Sequence, residues 1–128
     1  MKWTLRLAAL YNLLWGAWVI FLPQQSLDIM GYEQATVVTS TIWQGMGMVI
    51  GVYGLGYYWA SFNPVKHWPI VAVGMLGKIF GPLGFLMNYL QGMVPVEMVY
   101  LLIFNDFVWW IPFAIILFKA YKATWPLR

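Results

Sequence analysis

Cysteine is absent from the 128 residues, which removes disulfides, thiol catalysis, thiolate metal sites and CxxCH haem attachment. Charge is scarce as well: 9% of the chain is Asp, Glu, Lys or Arg, against about a quarter in soluble domains. Histidine occurs once, as His67, so neither a His-only metal site nor bis-histidine haem ligation is available. GxSxG, HExxH and carboxylates paired at glycosidase-like positions are missing. Gly77-Lys78 lacks the earlier glycine and the following Ser or Thr of a phosphate loop, since Ile79 stands there. No catalytic residue is nominated, and the chain reads as a non-enzyme before an enzyme.

What is present in abundance is apolar. Hydrophobic residues make up 62% and mean hydropathy is +0.72, and four apolar blocks follow one another, each near the ~20 residues that cross a bilayer as helix. The expectation is a single all-α domain over residues 1–128, an integral membrane antiparallel four-helix bundle with spans at about 4–22, 41–62, 68–90 and 96–118. Its partner is the lipid bilayer. The net charge of +3 does not point to nucleic acid, because the basic residues are scattered at segment ends instead of forming a patch.

Lys2 and Arg6 precede an apolar run ended by Pro23. A signal peptide has a shorter apolar region ending in small residues, and Pro23-Gln24-Gln25-Ser26 offers no such site, so this run is read as an uncleaved span. A short interfacial helical turn is expected from Ser26 to a stop at Gly31. Asn63-Pro64 marks the turn before span three, and Gln91-Gly92 to Pro95 the loop before span four. Gly47, Gly51 and Gly54 share one face of span two, and Gly74, Gly77, Gly81 and Gly84 one face of span three. Small residues let helices approach closely, so the two stripes are expected to face each other, with self-association of glycine faces a further option.

Lys2, Arg6, Lys66, Lys119, Lys122 and Arg128 fall on one side, while the other two loops carry Asp28, Glu33 and Glu97. The positive-inside rule then puts both termini and the middle loop in the cytoplasm, with the inner cell membrane as the location. Trp3, Trp59, Trp68 and Trp125 are assigned to the inner interfacial belt and Trp43 to the outer one, while Trp15, Trp18, Trp109 and Trp110 are read as apolar bulk.

Two charges fall inside the apolar blocks. Lys78 is ten positions from Trp68 and Asp106 ten from Val96, so entering from opposite faces each reaches a depth of about 15 Å. An ionised side chain at the bilayer centre costs roughly 2.5–3.5 kcal/mol, and pairing is the expected remedy. Asn12, Tyr53 and Asn105 come to nearly the same depth, giving a polar layer of Asn12, Tyr53, Lys78, Asn105 and Asp106. For the pair itself two readings stand level; for the whole protein the accessory subunit is the leading reading and the transporter the alternative. The pair pins helices three and four together in a non-enzymatic accessory or interaction subunit, or the layer is a ligand or proton site of a small proton-coupled transporter. Pro82, a turn beyond Lys78, is expected to kink the helix or bare a carbonyl beside the charge.

Arg6-Leu-Ala-Ala-Leu-Tyr11-Asn12, Trp43-Gln44-Gly45, Gly77-Lys78-Ile-Phe-Gly81-Pro82-Leu-Gly84-Phe85, Asn105-Asp106, Trp109-Trp110 and Pro112-Phe113 together resemble small bacterial four-helix membrane proteins, DoxX-like in layout. The resemblance implies an accessory or quinone-binding subunit of a larger membrane redox complex and transfers no catalytic residue. Without cysteine, such a role needs a bound quinone or a partner's cofactor.

Overall fold

A computed structural model describes residues 1–32 and 35–126; Glu33 and Arg128, used above in the charge balance, lie outside the described residues. Among the described residues the chain is helical and holds no strand. Its elements are α1 (Lys2–Phe21), the short α2 (Pro23–Ile29), α3 (Val37–Ala60), α4 (Trp68–Leu90) and α5 (Val96–Thr124). The pitch of α5 varies: a 3₁₀ turn at Val96–Met98, α-helix at Val99–Leu102, π-helix at Ile103–Phe107 and α-helix again at Val108–Thr124.

Local chemistry sets these boundaries. Pro23 cannot extend α1, and its fixed φ opens α2 instead. The expected interfacial turn is α2, and beyond it Gly31 takes φ +90°, a value that favours glycine. α3 starts at Val37, ahead of the expected Thr41, because the Thr36 hydroxyl accepts the Thr39 N–H at 3.1 Å and caps the first turn. α5 continues past residue 118 to Thr124, so Lys119 and Lys122 belong to helix. Cations suit that end of a helix, where carbonyl groups are unpaired.

α1, α4 and α5 are long and apolar enough to cross a membrane. The 24-residue α3 is long enough but is not among them, since Thr39, Ser40, Thr41, Gln44 and five glycines reduce its hydropathy.

Successive long helices alternate in direction. One end holds Leu5, Ala8, Tyr57, Ala60, Val71, Phe113 and Ile116, drawn from α1, α3, α4 and α5. The opposite end holds Trp15, Val19, Leu27, Met30 and Trp43, with Met98 and Leu101 of α5 against them. Outward faces are apolar too: Leu10, Leu14, Ile42, Val52, Phe80, Leu83, Ile111 and Phe118 are all exposed. A chain folding in water would not leave so continuous an apolar periphery.

The glycine stripes do not face each other. α3 turns its stripe to α1: a methyl group at Gly47 would stand 2.7 Å from Val19 Cγ1, one at Gly16 2.6 Å from the Gly47 carbonyl oxygen, and one at Gly54 3.0 Å from Ala9 O. Of the α4 glycines, only Gly74 packs against α3, where a methyl would collide with the Tyr57 ring; Gly77 and Gly84 have nothing within 4 Å of that position, and Gly81 faces Asp106. Helical spacing fixes which residues share a face but not which helix covers it. Trp43 is likewise not an interfacial anchor. It is buried at 5.5 Å from the Trp15 ring, and its indole N–H donates to the Ser26 hydroxyl at 2.7 Å.

Candidate functional site: a cavity between the long helices

Turning α3 toward α1 leaves space between α3 and α4. Asn12, Tyr53, Lys78, Asn105 and Asp106, the whole of the polar layer read from sequence, line one cavity there of about 420 Å³. That volume falls within the range of small-ligand sites, about 300–1,000 Å³. The remaining walls are chiefly apolar or aromatic, among them Met46, Ile50, Tyr57, Phe85 and Leu102.

Each polar side chain is delivered by a specific backbone feature. Asn12 on α1 is buried and donates through Nδ2 to the Ile50 carbonyl of α3 at 3.1 Å, while its Oδ1 has no partner among the described residues. Lys78 on α4 is buried, and Nζ donates to the Asn105 carbonyl oxygen at 2.6 Å. That carbonyl lies in the π segment, where Val108 N–H reaches back to Ile103 O and the ordinary α register is lost. The neighbouring Phe104 carbonyl accepts the Trp109 indole at 3.0 Å. A π segment presents carbonyls sideways in this manner and recurs at functional sites.

The bared carbonyl expected from Pro82 is that of Lys78 itself. Proline has no N–H to offer the residue four before it, and the Trp110 indole N–H bonds the Lys78 oxygen instead, at 2.8 Å. Thus α4 and α5 are joined twice through one residue, once by its ammonium and once by its carbonyl.

Three rings surround the Lys78 ammonium: Nζ lies 5.7 Å from the Phe113 centroid, 5.9 Å from Tyr57 and 6.0 Å from Trp109. Cation–π attraction at such separations contributes about 0.5–2 kcal/mol, more where water is excluded. Tyr57 and Phe113 also meet edge to face at 5.1 Å, which fixes the wall of the pocket.

The expected direct Lys78–Asp106 ion pair is not formed: among the described residues no contact within 4.0 Å joins the two. The Asn105 carbonyl takes the ammonium because the π turn carries it toward α4. Asp106 remains buried beside it and electrostatically coupled to Lys78. Its carboxylate lies over Gly81, where an added methyl would stand 3.2 Å from Oδ2, and makes no hydrogen bond among the described residues. Asn105 Oδ1 is a second buried oxygen with no partner among the described residues. Unmet buried groups of this kind cost about 1–3 kcal/mol each.

The five residues of the expected polar layer are all among those lining the cavity; the sequence reading does not include Tyr57 in its wall, nor Trp109, Trp110 and Phe113 around Lys78. The available signal for Trp110 was Pro82, whose orphaned carbonyl requires a donor from a neighbouring helix. His67 immediately precedes α4 and lies outside the cavity lining.

No family model, curated protein or solved structure matches this chain.

Proposed function

We propose that the chain is a multi-pass integral membrane protein whose mid-depth cavity binds a small ligand, acting as a carrier or a ligand-binding subunit. In this reading α1, α3, α4 and α5 all span the inner membrane as a four-helix bundle with cytoplasmic termini. The polar content of α3 is no obstacle, since its stripe is covered by α1 and Gln44 donates to the Ile20 carbonyl at 2.8 Å.

One observation carries the reading: Lys78 and Asp106 are buried in the same cavity without touching. A pair retained only to pin two helices gains by closing into direct contact, because separated charges in water-poor surroundings lose their mutual attraction. Open charges facing a cavity of ligand size favour occupancy by something else.

Native mass spectrometry of the protein released from nanodiscs tests this. A bound mass that survives purification of the wild type and disappears in Gly77→Leu, which fills the cavity from an uncrowded position, is the expected result. An unliganded wild type, together with a loss of stability in Lys78→Met and Asp106→Asn, returns the pair to a structural role in an accessory subunit. A bound quinone within a membrane redox complex, as the DoxX-like layout implies, is the second reading, favoured by the flat lining that Tyr53, Tyr57 and Phe85 supply. Its test is the redox spectrum of an organic extract.

A further inference from the structure

The class of ligand follows from two features, given that the cavity is a binding site as proposed above. The first is charge. Lys78 and Asp106 carry opposite charges and together sum to zero, so a ligand ion of either sign would leave an uncompensated charge buried with them. The ammonium has three N–H groups, one of which is committed to the Asn105 carbonyl. The carboxylate has no donor at all among the described residues. A hydroxyl between them accepts from the first, donates to the second and adds no charge.

The second feature is a groove. A separate, almost wholly apolar cavity of about 390 Å³ runs between α3 and α4, lined by Val52, Tyr53, Gly56, Pro69, Ile70 and Val73. Tyr53 lines both spaces. The two spaces are thus neighbours on the α3–α4 seam with the Tyr53 side chain between them, the apolar groove lying nearer the end of the molecule where Lys66 and His67 join α3 to α4. Gly56 lets α3 and α4 approach closely at the floor of this groove, since a methyl there would stand 3.3 Å from Ile70 Cγ2.

We infer that the ligand is a neutral amphiphile, a hydroxyl head on an apolar chain, with the head between Lys78 and Asp106 and the chain along the Val52–Val73 groove past Tyr53. Binding is thus selective for uncharged over ionised heads of equal chain length. The energetic source is symmetrical: the head satisfies two charges at once, while the tail replaces lipid contacts along the seam at little net change.

Photocrosslinking in nanodiscs tests this with diazirine-bearing dodecanol, dodecanoic acid, dodecylamine and dodecane, the labelled positions being mapped by peptide mass spectrometry. The expected result is cavity labelling on α3 and α4 by the alcohol, competed by excess unlabelled dodecanol. It should exceed labelling by the acid, the amine and the alkane by about tenfold, the equivalent of one 1.4 kcal/mol step, and be lost in Gly77→Leu. Gly77 has nothing within 4 Å of its added methyl position, so that variant keeps the fold while occupying the space. Preference for the acid or the amine overturns the neutral-head inference and leaves the binding-site reading standing. Equal labelling by alcohol and alkane, or no competable cavity labelling by any probe, overturns both, the space then being filled by water or lipid alone.

Discussion

The indole N–H of Trp110 bonds the backbone oxygen of Lys78 at 2.8 Å, the oxygen that Pro82 leaves without its helical donor. This pairing yields a thermodynamic cycle. Trp110→Phe removes the donor and should destabilise the protein by about 1 kcal/mol in detergent unfolding, as buried hydrogen bonds in helical membrane proteins do. With Pro82→Ala in place, an N–H is restored to the Lys78 carbonyl, and the same Trp110→Phe change should cost markedly less. Equal costs in both backgrounds would mean that the contact does not compensate for the proline.

Close approach of α1 and α3 sets a second expectation. Gly16→Ala and Gly47→Ala each force atoms within 3 Å of backbone or a branched side chain, and should lower the apparent Tm in mild detergent, with overpacking costs of about 1–3 kcal/mol. Gly77→Ala and Gly84→Ala, open at the same position, should melt within error of the wild type. A uniform response across the four would show that glycine content, and not this interface, governs stability.

Removing one charge is expected to hurt more than removing both. Lys78→Met abandons the Asn105 carbonyl and leaves Asp106 buried with no cation beside it; loss of one member of a buried pair costs about 3–5 kcal/mol in soluble interiors. Adding Asp106→Asn should recover part of that loss. Unfolding midpoints of the single and double variants measure it directly, and additive losses would show that the two groups act independently.

Topology can be read without first removing native thiols, because the sequence has none. Single cysteines placed at Lys2 and Lys66 should resist a membrane-impermeant maleimide added to intact spheroplasts, whereas cysteines at Gln24 and Gln91 should react. All four side chains are exposed. Reaction at Lys66 together with protection at Lys2 would mean that α1 and α3 do not both span.

The polar layer was legible because depth in a helix is a matter of counting: ten residues at the helical rise put Lys78 and Asp106 at one level whatever their neighbours. What each side chain touches was not legible. A π turn at Ile103–Phe107 shifts the carbonyl of Asn105 onto the lysine, and helical periodicity alone cannot register one inserted residue. Nor could the spacing of Gly47 and Gly54 say that Val19 and Ala9 of α1, not α4, lie opposite them. Sequence alone reads Trp43 as an anchor and Trp110 as bulk because an indole's N–H declares its role only when its acceptor is known, here Ser26 and Lys78.

The unequal packing of the glycine faces has a mechanical consequence. Backbone meets backbone between α1 and α3, so that pair can neither close further nor slide without collision, and behaves as a fixed post. α4 is tied to α5 at Lys78 through both of its polar ends, while its contact with α3 is interrupted by the cavity. The α3–α4 seam is therefore the loosest boundary of the bundle, where Gly77 and Gly84 meet no neighbour at their methyl positions.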